Sequence, residues 1–223
     1  LERLGYILLL LYSFSYIQGQ CDSNYDRNQS PKIANYDIIV DLDHIGKIAN
    51  CTQTFTWKNT SPDTISSLRF YMYMNAFKDM QSSYLKDSGG KIFGRDIANR
   101  SKEEWGHITI DKMVNKDGTD ISSNSRFLQD LDDNRNDQTI IEIDLDHPLI
   151  PGQTGRYEME FTTKMPKTIA RAGYSQKDFF LFVHWFPQAC VYEQDKHGIW
   201  GWNSHQFVQG TEFFADFGDY KVT

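Results

Sequence analysis

Polar and apolar residues alternate with period two along most of this chain. Tyr36, Ile38, Val40 and Leu42 alternate with Asp37, Ile39, Asp41 and Asp43, the spacing of a strand with one face toward a core. Over residues 48–57, Phe55 and Trp57 share one face and Thr52, Thr54 and Thr56 the other. The stretch Asn59-Thr60-Ser61-Pro62-Asp63 that follows reads as a turn, because Asn and Asp bond their own backbone and Pro presets φ. The pattern predicts further strands over 65–74, 105–114, 139–145, 155–163, 179–186 and 213–222. Asn115-Lys116-Asp117-Gly118 and residues 148–152 are turns between them, and residues 120–137 are polar and acidic. Residues 75–104 are irregular, broken by Gly89, Gly90 and Gly94, with one short helical turn within 99–105. The sum is about eight strands, no helix longer than two turns and no internal repeat. That describes an all-β domain of stacked antiparallel sheets, a large β-sandwich over residues 35–223.

The first twenty residues break this pattern. Arg3 precedes the apolar run Leu4-Gly5-Tyr6-Ile7-Leu8-Leu9-Leu10-Leu11-Tyr12, and Gln18-Gly19-Gln20 follows. A basic start, a short apolar stretch and a small-residue exit predict a signal peptide over residues 1–20. A spanning helix needs about 20 apolar residues, and Ser13, Ser15 and Gln18 interrupt this run. The expected location is secreted or periplasmic. Two alternatives keep the chain at a membrane: retention of the N-terminal segment as an anchor helix, or lipidation of Cys21. Residues 21–34 read as a polar linker. The chain starts at Leu1 and stops at Thr223 within a strand-like run, so both ends read as cut.

Hydrophobic residues make up 39% of the chain and aromatic residues 14%, enough for a core in one domain of this length. The formal net charge of -7 argues against a nucleic-acid partner, which requires a basic patch. Three cysteines, Cys21, Cys51 and Cys190, leave at least one without an intrachain partner. Whether Cys51 and Cys190 join stays open. Asn28, Asn50, Asn59 and Asn99 each begin an Asn-x-Ser/Thr sequon, relevant only in a glycosylating host.

The chemistry-bearing candidates are few. None of His44, His107, His147, His184, His197 and His205 stands four residues from another, so no helical His pair for zinc can form. His197 and His205 with Glu193 and Asp195 match no closed metal site. The acidic run Asp130-Leu131-Asp132-Asp133-Asn134-Arg135-Asn136 has Arg135 and Ile141 where a calcium loop needs Gly and Glu. There is no Gly-x-Ser-x-Gly elbow and no Gly-rich phosphate loop. Acids are plentiful, yet nothing selects a pair for glycoside hydrolysis. The aromatics Phe179, Phe180, Phe182, Trp185, Phe186, Trp200 and Trp202 read first as core packing and second as a sugar-stacking surface.

Several motifs together carry a family likeness. Tyr36-Asp37-Ile38 with Leu42-Asp43, Phe55-x-Trp57-x-Asn59-x-Ser61-Pro62, and Leu68-Arg69-Phe70 leading to Asn75-Ala76-Phe77 occur in order. Pro148-Leu149-Ile150-Pro151-Gly152 follows, then Trp185-Phe186-Pro187, Tyr192, Gly201-Trp202 and Glu212-Phe213-Phe214 with Gly218-Asp219-Tyr220. This order over residues 35–223 resembles the N-terminal domain of aminopeptidase N-like zinc metallopeptidases, bacterial secreted branch. The resemblance implies a saddle-shaped β domain that braces a downstream catalytic domain and walls one side of a peptide cleft. It also implies that zinc and the His-Glu-x-x-His motif belong to that downstream domain, with no catalytic or metal-binding residue and no cofactor in residues 1–223. The family uses a Gln from this domain near the substrate's amino group; here the matching place holds His184, beside Trp185. These two are the candidate substrate-binding residues, and the change from Gln puts strict aminopeptidase specificity in doubt. The rival reading is a free-standing secreted β-sandwich that binds carbohydrate or protein.

Overall fold

A computed structural model describes residues 30–176, 179–211 and 213–223. The signal peptide, most of the linker, Cys21 and Asn28 lie outside the described residues. Fifteen strands run through the described residues in chain order. They are β1 (Ala34–Asp43), β2 (Ile48–Lys58), β3 (Ile65–Tyr71), β4 (Lys91–Ile92), β5 (Arg95–Asp96), β6 (His107–Asn115), β7 (Ser125–Phe127) and β8 (Ile140–Leu149). Then come β9 (Thr154–Lys164), β10 (Gly173–Ser175), β11 (Phe179–Leu181), β12 (Gln188–Ala189), β13 (Val191–Gln194), β14 (Trp200–Asn203) and β15 (Tyr220–Val222). A short α-helix, Ser83–Asp87, interrupts them. No helix among the described residues is long and apolar enough to cross a membrane.

Two sheets carry the fold, one ordered β15-β1-β2-β9-β6 and the other β12-β3-β8-β7. The larger is antiparallel except at its edge, where β15 lies parallel to β1. The centre is the β2–β9 pair, in unbroken register from Ile48↔Lys164 to Lys58↔Thr154. Strict alternation sets that register. Tyr157, Met159 and Phe161 of β9 point inward, while Arg156, Glu158 and Glu160 point out. A slip by one residue would expose the first set and bury the second.

The inner faces of the two sheets share one core. Phe55 of β2 meets Phe70 of β3 edge-on at 5.3 Å, joining the sheets. Both rings are fully buried, and burying such a side chain stabilises by roughly 1.5–3 kcal/mol. Turns close the ladders with side-chain bonds. Asn59 is buried; its Nδ2 donates to the Asp63 and Leu149 carbonyls at 2.7 and 2.9 Å, and its Oδ1 accepts from the Ser61 N–H at 3.0 Å. This asparagine ties two turns together and is closed to glycosylation in the folded chain.

The expected strands over 48–57, 105–114 and 155–163 match β2, β6 and β9 closely. Three others are shorter than the pattern predicts. The strand expected over 65–74 ends at Tyr71, where the chain winds into a 3-10 turn over Tyr73–Phe77. That over 179–186 ends at Leu181, and that over 213–222 reduces to Tyr220–Val222. Aromatic residues are enriched in strands but do not require a paired backbone, and Phe179, Phe213, Phe214 and Phe217 stand exposed in these stretches. The total of eight is also too low, because the two- to four-residue strands are shorter than any periodicity can register.

Candidate functional site

The chain leaves β11 at Leu181 and rejoins a sheet at Gln188, and residues 182–187 between them are irregular. Two residues explain this. Pro187 lacks an N–H for a ladder, and His184 takes a left-handed backbone, φ 52°, that non-glycine residues adopt at a cost. The segment is held where it touches the larger sheet: Thr163 Oγ1 donates to the Trp185 carbonyl at 2.6 Å.

His184 and Trp185 point into different environments. The Trp185 ring packs edge-on against Phe182 and Phe186, each at 5.5 Å, and lies 6.2 Å from Phe161. The His184 ring lies 3.8 Å from Phe213, tilted by 38°, and meets Tyr73 edge-on at 5.7 Å. The Arg171 guanidinium stands over Phe213 at 5.6 Å. Burial, then the charge of Arg171, pushes the His184 pKa down to about 4. The ring is therefore neutral near pH 7. Its Nε2 is buried with no hydrogen-bond partner among the described residues. A neutral imidazole offers one acceptor and one donor, so this atom is equipped for a hydrogen bond that no described residue supplies. With so low a pKa it is a poor proton carrier at neutral pH.

His184 lines a small cavity of about 150 Å³ together with Phe213, Phe207 and Phe93. Phe93 also borders a larger cavity of about 670 Å³, between the β4–β5 ribbon and residues 167–176. It borders a third of about 300 Å³ with Tyr84 and Gln209. The wall of the large cavity is firmly built. Gly173, at φ 123°, leaves no room for a side chain, since an added Cβ would sit 2.3 Å from the Pro166 carbonyl oxygen. Arg100 Nη2 donates to the Thr168 carbonyl at 2.9 Å, and its Nη1 to the carbonyls of Glu104 and Lys167. Lys167 pairs with Glu104. Sequence reasoning missed this cavity, although a phenylalanine before Gly94 in a glycine-broken stretch was a visible signal.

The remaining candidates are structural. Asp195 Oδ1 accepts from the backbone N–H groups of His197 and Ile199 at 2.8 and 2.9 Å, closing the β13–β14 hairpin. Glu193 accepts from Asn203 Nδ2 at 2.7 Å. Among the described residues no three His, Cys, Asp or Glu side chains stand together as a metal site would require. The acidic run is pinned by Gln206, whose Nε2 donates to Asp132 at 2.8 Å. Of the aromatics, Trp202 packs on Trp57 at 5.6 Å, and Tyr192 stacks on Trp200 at 6.1 Å. Cys51 and Cys190 are buried free thiols. Burial pushes the Cys51 pKa up to about 12 and raises that of Cys190, so neither is a thiolate at neutral pH.

No family model and no curated protein matches the chain. Solved structures do show likenesses. An M1 zinc metallopeptidase from Deinococcus radiodurans is 14% identical, with TM-score 0.36, covering 79% of this chain and 30% of that one. A mutant of the peptidase from the same organism, bound to a Tyr-Ser-Ala substrate, is 15% identical with TM-score 0.35, covering 65% and 24%. A CBM3a-L domain of a cellulosome scaffoldin from Clostridium thermocellum is 13% identical with TM-score 0.26, covering 82% and 99%. The chain spans less than a third of the length of either peptidase. Likeness at this level assigns no family to the chain.

Proposed function

We propose that this chain is the non-catalytic N-terminal domain of a secreted, aminopeptidase N-like zinc metallopeptidase. In this reading it braces a downstream catalytic domain and forms one wall of the peptide cleft. His184 contributes a neutral hydrogen-bonding group toward the substrate's amino end, and Trp185 shapes the segment that holds it. The ordered motifs from Tyr36 to Tyr220 support the reading. The observation that carries it is a run of exposed apolar side chains that begins at Phe213, the ring against His184. Phe213, Phe214, Phe217, Tyr220 and Val222 stand 41–68% exposed within ten residues. Exposed apolar side chains gathered in one segment are a mark of an interaction site, and a packed neighbouring domain would cover them. Zinc and peptide hydrolysis belong to that neighbour.

The test has two parts. The coding sequence beyond Thr223 is expected to contain His-Glu-x-x-His with a later Glu. The 223-residue chain alone is expected to cleave no aminoacyl reporter. A downstream sequence without those ligands sinks the proposal, as does chelator-sensitive cleavage by the chain alone.

A further inference from the structure

The β4–β5 ribbon turns through Phe93-Gly94, with φ 48° and 74°. A two-residue hairpin with both central residues at positive φ is a type I′ turn, which selects Asn, Asp or Gly at its first position. This chain places phenylalanine there and leaves its ring 83% exposed. Neither the backbone conformation nor the exposure stabilises the fold. Ala170 and Gln176, on the opposite wall of the 670 Å³ cavity, also hold positive φ, 49° and 58°. Backbone strain gathered around one cavity is a mark of a functional site. The volume lies in the range of ligand pockets.

The charge of the lining indicates what would bind. Arg95, Arg100 and Lys167 face Asp96 and Glu104, an excess of one positive charge. Lys167 is paired with Glu104, Arg100 is spent on backbone carbonyls, and Asp96 accepts from the Ala98 N–H at 2.9 Å. The Arg95 side chain is left with no hydrogen bond or ion pair among the described residues, two positions from Phe93. A guanidinium fork matches a carboxylate in geometry and charge, and an exposed aromatic face matches an apolar group.

We propose that this cavity binds a carboxylate carried beside an apolar or aromatic group, with Arg95 holding the carboxylate and Phe93 the apolar part. The C-terminus of a peptide and a free apolar amino acid both present that chemistry. The site stands independently of any zinc domain. The experiment is calorimetric titration of the 223-residue chain with Ala-Ala-Phe as the free acid, with its C-terminal amide, and with phenylalanine. The acid is expected to bind at least about tenfold more tightly than the amide, the scale of one charge-assisted hydrogen bond. Arg95→Ala should reduce the acid to the level of the amide. Phe93→Asn should weaken the acid about tenfold while raising Tm, because Asn suits the turn. Tighter binding of the tripeptide than of phenylalanine assigns the site to chain ends, and the reverse order assigns it to free amino acids. Equal binding of acid and amide overturns the proposal, as does no binding at millimolar ligand, or an unchanged affinity in Arg95→Ala. Both side chains are exposed, and an unchanged near-ultraviolet spectrum in each variant confirms that folding is retained.

Discussion

The sheet around β2 and β9 and the cavity-lined region around Phe93 and His184 satisfy their backbones to different extents through regular ladders. In the sheet, backbone bonds to backbone through an unbroken ladder of registered pairs. Around the cavities, short backbone bonds such as Thr168 N–H to the Tyr174 carbonyl at 3.0 Å are supplemented by a side chain, Arg100, which serves three carbonyls. Of the six non-glycine residues at positive φ among the described residues, Lys47 and Asp133 sit elsewhere, whereas Phe93, Ala170, Gln176 and His184 line these cavities. Stability is built in the first region and strain is placed in the second. That division leaves the second region free to carry binding surface.

Four substitutions test the contrast. The largest effect belongs to the sheet: Phe55→Ala should lower the stability of the whole domain by about 3–5 kcal/mol, the cost of emptying a packed core site. Chemical denaturation should register it as a lower midpoint with unchanged slope, and a loss under about 1 kcal/mol would mean that the two sheets do not depend on this ring. Asn59→Ala should cost about 2–3 kcal/mol, since it strips partners from buried backbone groups at two turns. Hydrogen exchange should then quicken around residues 59–63 and 149–153 together; quickening at one turn alone would refute the coupling.

The His184 effect is smaller and depends on pH. Its folded pKa of about 4 lies below the ordinary 6.5, so the folded state resists a proton that the unfolded state accepts. The resulting stability is fully present above pH 6.5 and is lost as pH falls through 4. His184→Gln should remove that loss, so the variant gains on the parent by on the order of 1–2 kcal/mol between about pH 7 and 4, after allowance for solvent screening. Parallel stability–pH curves would show that the ring is not shielded. The smallest effect has the opposite sign: Phe93→Asn should stabilise by about 1 kcal/mol, the cost of one strained residue. A lower Tm would place Phe93 among the residues that hold the fold.

The regular parts of the molecule are legible in the residue pattern alone. Period two marks β1, β2 and β9 because one face of each lies against the core. Asn115-Lys116-Asp117-Gly118 marks its turn because Asn115 Oδ1 accepts from the Asp117 and Thr119 N–H groups at 2.8 and 3.0 Å. The candidate site is legible only in part. His184 stands out as a histidine beside Trp185-Phe186-Pro187, yet its low pKa comes from burial and from Arg171, and its ring contact from Phe213. Residues 182–186 read as strand because aromatic residues signal burial without saying whether the backbone is paired.

The sequence by itself determined the strands whose alternation is strict, the turns whose Asn, Pro and Gly residues bond or bend locally, and the excess of acid over base. Each of the strands and turns depends on residues within a few positions of one another. Only the tertiary structure decided that the ribbon at Phe93 faces residues 167–176, that the Arg95 side chain has no partner among the described residues while Arg100 and Lys167 are engaged, and that His184 Nε2 is buried without a partner among them. Those outcomes depend on segments far apart along the chain, such as Arg100 and Thr168, and no local pattern encodes which carbonyl or ring a distant side chain will meet.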